Sequence, residues 1–144
     1  MLNVYILVGF PASGKSTYAK NLCGQILSSD EIRKELYGNE EEQGNPKEVF
    51  DTLYQRMETL LGLDADVIID ATNINRWERS KAIQIANRFS CNIICMCFDV
   101  TVEECKKRNA NRERKVPDFV YDRMLSKYEE PSYDEGFSYI YKIH

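Results

Sequence analysis

Residues 9–17 read Gly-Phe-Pro-Ala-Ser-Gly-Lys-Ser-Thr, and no other stretch of the chain restricts its fold as tightly. The pattern G-x-x-x-x-G-K-S follows a short β-rich apolar run, Val4–Val8, and leads into a helix-forming run from Lys15 to Asn21, with Gly24 just past its end. A strand, a glycine-rich turn and a helix in that order aim successive backbone N–H groups into one concavity, which suits an anion. The N-terminus of the helix adds partial positive charge at the same point.

The rest of the chain alternates strands with helices. Gln25–Ser28 is a brief second strand, and Ser28-x-x-Glu31 has the form of a capping box opening a helix that stops at Gly38. Asn39–Asn45 is acidic and polar and is expected to be a mobile loop. Asn45-Pro46 starts a helix with proline at its first position, and Val49, Phe50, Leu53, Met57, Leu60 and Leu61 follow helical spacing within it. Val67–Ile69 is a third strand ending at Asp70, and Asn75-x-x-Glu78 begins the next helix, through Ile83, Ile85 and Ala86. Cys91–Phe98 is a fourth strand, Thr101-x-x-Glu104 caps a helix that runs into a basic segment, Pro117 opens another toward Lys127, and Phe137–Ile143 is a last strand. This alternation predicts an α/β fold, a P-loop NTPase or kinase-like three-layer sandwich with a mostly parallel central sheet and a basic helical lid at about 106–117. At 144 residues the chain fits a single P-loop kinase domain, 1–144. In such sheets ligands sit at the carboxyl ends of the strands, so the residues just after each strand carry the chemistry.

The glycine-rich segment is a full Walker A match, and the expected ligands are ATP and Mg²⁺. Gly9, Pro11, Ala12, Ser13, Gly14, Lys15, Ser16 and Thr17 form the expected cradle. Lys15 is placed on the β- and γ-phosphates and the Ser16 hydroxyl on Mg²⁺. Asp70 ends its strand where a Walker B carboxylate would hold the same ion, directly or through water; a turn cap or a partner for a cation would suit it too. Asp30 and Arg33 follow the second strand and share one helix face. There a carboxylate can take the proton from an attacking hydroxyl, and an arginine can clamp an acceptor phosphate. From the spacing alone an ordinary i,i+3 surface ion pair explains the two residues better.

Five stretches, GFPASGKST, SSDEIR, IIDATNINR, KRNANRERKVP and EPSYDEGF, occur in an order that resembles the polynucleotide 5′-hydroxyl kinase family, the kinase module of phage and bacterial end-healing enzymes. The resemblance spans nearly the whole chain. It implies that Asp30 is the general base for a 5′-OH and that Arg33 contacts the phosphate on the acceptor's 3′ side. It implies that Thr72 and Asn73 line the acceptor path, and that Arg108 and Arg112, four apart on one helix face, lie over the donor phosphates. Arg112 is the better candidate for stabilising the transferring group, and Val116 with Pro117 would help hold the adenine. The chain departs from the family in having Ala12 at a position where glycine is common. It has no D-x-D-G-T phosphatase or K-x-D-G ligase signature, so an end-healing role would be confined to the kinase step.

Charge and composition narrow the alternatives. Residues 106–115 hold six Lys/Arg against one Glu, a local +5 that leaves −9 on the rest of a chain with net charge −4. A basic patch on an acidic body suits a focused anion site, although one solvated helix face would look the same. Five cysteines with no C-x-x-C pair read as small buried residues, and Cys95 and Cys97 fall on one strand face. A reducing, cytoplasmic setting follows, with no signal peptide and no membrane-length apolar run. One histidine, His144, makes zinc or histidine chemistry an unattractive reading. Tyr5, Phe10, Tyr18, Tyr37, Phe50 and Trp77 can stack on a base, but no basic aromatic groove for a long strand stands out. Two competing readings remain: a kinase of a small alcohol, nucleoside, antibiotic or sugar-nucleotide on the same fold, and an ATP-binding module that transfers nothing.

Overall fold

The computed structural model describes residues 1–38, 45–113 and 115–144. Five strands form one sheet: β1 (Asn3–Val8), β2 (Gln25–Ser28), β3 (Val67–Asp70), β4 (Asn92–Phe98) and β5 (Tyr139–Ile143), in the order β2-β3-β1-β4-β5. Every neighbouring pair is parallel, with Ile6 opposite both Ile69 and Cys95. Parallel pairing requires crossovers, and the helices supply them. They are α1 (Lys15–Ala19), α2 (Ser29–Tyr37), α3 (Pro46–Gly62), α4 (Arg76–Arg88), α5 (Val102–Ala110) and α6 (Asp118–Lys127).

Side chains alternate along β1, so its two faces feed two cores. Val4, Ile6 and Val8 meet Val49, Leu53, Met57 and Leu61 of α3 and Ile83 and Ala86 of α4. Leu7 points the other way and joins Ala19 of α1, Ile68, Met96 and Phe98. Helices on both faces of one parallel sheet make the three-layer sandwich. Leu53 and Met57 are completely buried, and truncating either to alanine costs about 2–5 kcal/mol. A third cluster of Phe10, Ile74, Val102, Cys105, Val116 and Tyr121 seats α5 and α6 over the carboxyl end of the sheet. Cys95 and Cys97 are buried on the α3–α4 face.

Local signals set the element ends. The side chains of Ser28, Asn45, Asn75 and Thr101 each accept a backbone N–H at the start of their helix. Of the loop expected at Asn39–Asn45, residues 39–44 lie outside the described residues, and Asn45 caps α3. Four boundaries differ from expectation, the first being β1, which begins at Asn3 rather than Val4. α1 ends at Ala19 rather than Asn21, because Asn21 and Leu22 bond three residues back to Tyr18 and Ala19 in tighter turns. β4 begins at Asn92, one residue later than expected. β5 begins at Tyr139, because Phe137 turns into the core and Ser138 is tied to Ile93 by bonds in both directions.

The basic segment begins in α5 and precedes α6, the two helices expected from the sequence. α5 ends at Ala110, with Asn111 as its cap, so Arg112 lies beyond the helix and does not share a helical face with Arg108. The buried carboxamide of Asn109 explains the break. It donates to the Val116 carbonyl at 2.7 Å and accepts from the Val116 N–H at 2.9 Å, which draws the chain back on itself.

Candidate functional site

The site is assembled at the carboxyl rim of the sheet. β1 delivers the glycine-rich turn, and the Gly9 N–H donates to the Thr72 carbonyl at 3.0 Å, which ties that turn to the one after β3. A Cβ on Gly9 would stand 2.7 Å from Ser13 Oγ and 3.1 Å from Phe98 Cβ, so only glycine fits there. Ala12 (φ 65°) and Gly14 (φ 100°) adopt left-handed backbone, which curls the turn around an anion-sized space. Alanine at position 12 therefore occupies a conformation that favours glycine.

Lys15 is buried and lies back along the turn, its Nζ donating to the Phe10 carbonyl at 3.0 Å. Burial lowers its pKa below the usual lysine range, against the pull of Asp70 and Asp30. Ser16 Oγ donates to Asp70 Oδ2 at 2.8 Å, so the hydroxyl and carboxylate expected to share a cation are already together. Burial raises the Asp70 pKa and the Asp30 charge adds to the rise, while Ser16 and Lys15 oppose it. A carboxylate paired with a hydroxyl and within electrostatic reach of a second carboxylate offers oxygen ligands of the kind a hard divalent cation takes. Thr17 is exposed on the next position of α1.

Asp30 and Arg33 stand on the first turns of α2, with Arg33 Nη1 2.9 Å from Asp30 Oδ1. The arginine side chain is only 12% exposed against 48% for the aspartate, and Arg33 Nε is buried without a hydrogen-bond partner. The i,i+3 ion pair that the spacing favoured is present, with its arginine sheltered and its aspartate half-exposed. Asp30 is close enough to act electrostatically on both Lys15 and Asp70, so the expected base, lysine and strand-end carboxylate share one locale.

The lid reaches the same place. Arg108 Nη1 donates to the Ser13 carbonyl at 3.4 Å and lies 3.9 Å from where a Cβ on Gly14 would be. Arg112 is held by Asn109 Oδ1 at 3.4 Å, and its charge is felt at Lys15. Ser13 Oγ and Arg112 Nε are buried and have no hydrogen-bond partner. Unpaired buried polar atoms are costly, and phosphate oxygens would satisfy such a set.

Two expected ligand contacts are turned elsewhere. The carboxamide of Asn73 faces inward and donates to the Leu7 carbonyl at 2.8 Å, so it braces the turn after β3. Val116 packs its side chain into the lid core beside Tyr121, with its backbone engaged by Asn109. Pro117 is exposed at the start of α6. Thr72 is half-buried and contributes its carbonyl to Gly9. Among the stacking candidates Phe10 belongs to the lid core, whereas Trp77 is 83% exposed on the first turn of α4.

Sequence reading missed four structural residues here. Tyr121 donates its hydroxyl to the Pro11 carbonyl at 2.7 Å. Asn109 staples the lid turn. Arg79 and Glu135 form a buried ion pair beneath the turn after β3. The forewarnings were the stretches KRNANRERKVP, which holds Asn109, and EPSYDEGF, which holds Glu135 and Gly136 at φ 116°.

A parallel sheet that brings a glycine-rich phosphate cradle, a lysine and an acidic strand end to one rim defines a kinase-like P-loop domain. The chain belongs to the AAA-domain family, whose profile matches residues 4–131. It is 26% identical over 151 aligned residues to the bifunctional polynucleotide phosphatase/kinase of Schizosaccharomyces pombe, covering 97% of this chain and 33% of that protein. It is 28% identical to the L-seryl-tRNA(Sec) kinase of Methanococcus maripaludis, over 88% of this chain and 52% of that one. The chain thus spans between a third and about half of these relatives. The fold is shared with a chain of the Pnkp1/Rnl/Hen1 RNA repair complex (TM-score 0.75, 24% identity, 88% of this chain and 43% of that one). It is shared also with Chaetomium thermophilum Kti12 in complex with ADP-AlF3 (TM-score 0.77, 19% identity, 97% of this chain and 88% of that one). The resemblance to polynucleotide kinases seen in the motifs is therefore matched by relatives. Among the described residues, no helix is long and apolar enough to cross a membrane.

Proposed function

We propose that this protein transfers the γ-phosphate of ATP, with Mg²⁺, to a hydroxyl acceptor, and that the acceptor is the 5′-OH of a polynucleotide. The observation that carries the proposal is the Asp30–Arg33 pair, 2.9 Å apart with its arginine sheltered and its aspartate half-exposed, in the same locale as Lys15 and the Ser16–Asp70 couple. The printed name of the Schizosaccharomyces pombe relative supports the choice of acceptor.

The backbone N–H groups of residues 12–16 and the Lys15 ammonium bind the donor phosphates, and Arg108 and Arg112 close over them from the lid. Arg112 stabilises the charge on the transferring group. Ser16 and Asp70 would hold Mg²⁺, which supplies Lewis-acid stabilisation of phosphate charge when bound. Asp30 accepts the proton of the attacking hydroxyl. Arg33 fixes the rotamer of Asp30 through one arm and offers the rest of its guanidinium to the phosphate on the acceptor's 3′ side. Thr72 borders the acceptor path, and the lid turn around Val116 and Pro117 borders the adenine.

A small-alcohol acceptor is the alternative, supported by the net negative charge outside residues 106–115. The deciding experiment is a γ-phosphate transfer screen with 5′-OH DNA, 5′-OH RNA, nucleoside 3′-monophosphates, bare nucleosides and small alcohols. Preferential labelling of 5′-OH ends is the expected result. Labelling of small alcohols alone would replace the acceptor assignment.

A further inference from the structure

The guanidinium of Arg79 on α4 is completely buried, and every arm is engaged. Nε and Nη2 donate to the two carboxylate oxygens of Glu135 at 2.8 and 3.1 Å, and Nη1 donates to the Asn73 carbonyl at 2.9 Å. Glu135 is 4% exposed and is steadied by the Ser132 N–H at 2.9 Å. Gly136 admits this approach, because its φ is 116° and a Cβ there would lie 3.2 Å from Ile83 Cγ2.

The third arm is the informative one. Asn73 has left-handed backbone, φ 48°, and its Nδ2 donates to Leu7 at the end of β1. One residue earlier, Thr72 accepts the N–H of Gly9, and two before that stands Asp70. The turn that carries the strand-end carboxylate is thus pinned from below by Arg79 and from the side by β1. A buried ion pair is a poor device for stability, since well-packed apolar residues of equal volume do as well or better. What the arginine adds, and a methionine would not, is a donor to a carbonyl in a strained turn.

We propose that Arg79 is a positioning residue for phosphoryl transfer, oriented by Glu135 and acting through the Asn73 carbonyl to hold Asp70 and Thr72 in register with the glycine-rich turn. The inference rests on the kinase reading. It predicts that loss of the pair separates folding from function, because the phosphate cradle is carried by β1 and α1 whereas Asp70 and Thr72 depend on the pinned turn.

The test uses the double variant Arg79→Met with Glu135→Met, which removes both charges together, and Arg79→Lys, which retains one donor. Thermal unfolding, nucleotide affinity with EDTA, nucleotide affinity with Mg²⁺ and kcat for transfer are measured on each. The double variant is expected to unfold somewhat below the wild-type temperature, because the Asn73 carbonyl and the Ser132 N–H lose their partners, and to bind nucleotide normally in EDTA. It should lose about tenfold or more of the affinity that Mg²⁺ adds, as expected when support for a metal ligand is removed. Its kcat should fall on the order of a hundredfold, and Arg79→Lys should recover part of both losses. Wild-type kcat and Mg²⁺ response in the double variant would overturn the inference. So would a fall in EDTA affinity equal to the fall in kcat, which is the mark of a general structural role. If the double variant does not fold, Arg79→Lys decides: a normal Mg²⁺ increment with lowered stability overturns the positioning role, and a reduced increment at normal EDTA affinity supports it. The Mg²⁺ increment needs no acceptor, so a wild type that labels no 5′-OH end would sink the polynucleotide reading while Arg79 is still judged.

Discussion

The hydroxyl of Tyr121 on α6 donates to the carbonyl of Pro11 across 2.7 Å, joining the second lid helix directly to the phosphate cradle. The tyrosine is completely buried, and the bond spans 110 residues of sequence. The base of the lid is therefore anchored to the turn that it covers. Tyr121→Phe keeps the ring in its cluster and deletes the bond to Pro11. The expected loss is about 1 kcal/mol, or roughly 4 °C in unfolding temperature. An unchanged transition temperature would show that the hydroxyl is not anchoring the helix.

Asn109 ties the end of α5 to Val116. Its carboxamide satisfies both backbone groups of Val116, so Asn109→Ala leaves a buried N–H and a buried carbonyl unpaired. At about 1–3 kcal/mol for each orphaned group, the turn should open before the sheet does. Limited trypsin digestion reads this out: cleavage at Arg112 and Lys115 should be faster in Asn109→Ala than in wild type, and Mg-ATP should protect the wild type more. Identical digestion of the two proteins would mean that the turn is held by other contacts.

The parts of the site legible in the sequence were those set by short-range chemistry. The cradle could be read because strand, turn and helix are contiguous and the turn needs its glycines. The helix starts at Ser28, Asn45, Asn75 and Thr101 could be read because a cap acts within three residues. What stayed hidden was decided by contacts between distant segments. Arg79 and Glu135 lie 56 residues apart and look like ordinary surface charges until the turn after β3 is seen to need a donor from beneath. Asn73 was an acceptor contact only by the family resemblance, and its carboxamide donates to the Leu7 carbonyl. Arg112 was placed on a helix face with Arg108 from their spacing of four, and only the Asn109–Val116 staple shows why the helix stops first.

Lys15 sets an alkaline limit on nucleotide binding. Burial lowers its pKa, so in the free protein the ammonium is lost at a lower pH than an ordinary lysine's 10.5. Raising the pH through that point removes the charge that holds the donor phosphates. A bound polyanion favours the charged form and pushes the pKa back up. ATP affinity should therefore fall on the alkaline side before pH 10.5, with a proton taken up on binding in that range. Titration of ATP binding against pH checks this, and Lys15→Arg should shift the limb upward because a guanidinium stays charged. A flat affinity up to the ordinary lysine range would remove Lys15 from the phosphates.

Asp30→Asn retains size and polarity but cannot accept a proton as a carboxylate does. General-base help is worth about 10²–10⁴-fold, so kcat should fall by that much while ATP affinity changes little. Because the Asp30 charge helps raise the Asp70 pKa, the same substitution should lower it and ease metal binding at mildly acidic pH. A variant with weak ATP binding and normal turnover at saturation would move Asp30 to the donor side.

Arg33 separates the two acceptor readings. A 5′-OH nucleotide carries a phosphate on its 3′ side, and the sheltered guanidinium of Arg33 has a buried Nε with no hydrogen-bond partner. If Arg33 holds that phosphate, a nucleoside 3′-monophosphate is a far better acceptor than the bare nucleoside. A charge-assisted contact of roughly 1.5–3 kcal/mol corresponds to about 10–150-fold in kcat/KM. Arg33→Ala should erase most of that preference by slowing the phosphorylated acceptor. It should also release Asp30 from its 2.9 Å contact, so some loss with the bare nucleoside is expected as well. Arg33→Lys should restore only part, because an ammonium cannot bond Asp30 and a phosphate with the geometry of a planar fork. Raised salt should weaken the preference in wild type and hardly alter it in Arg33→Ala. Equal use of the nucleoside and its 3′-monophosphate by the wild type would sink the polynucleotide assignment and leave the phosphate cradle untouched.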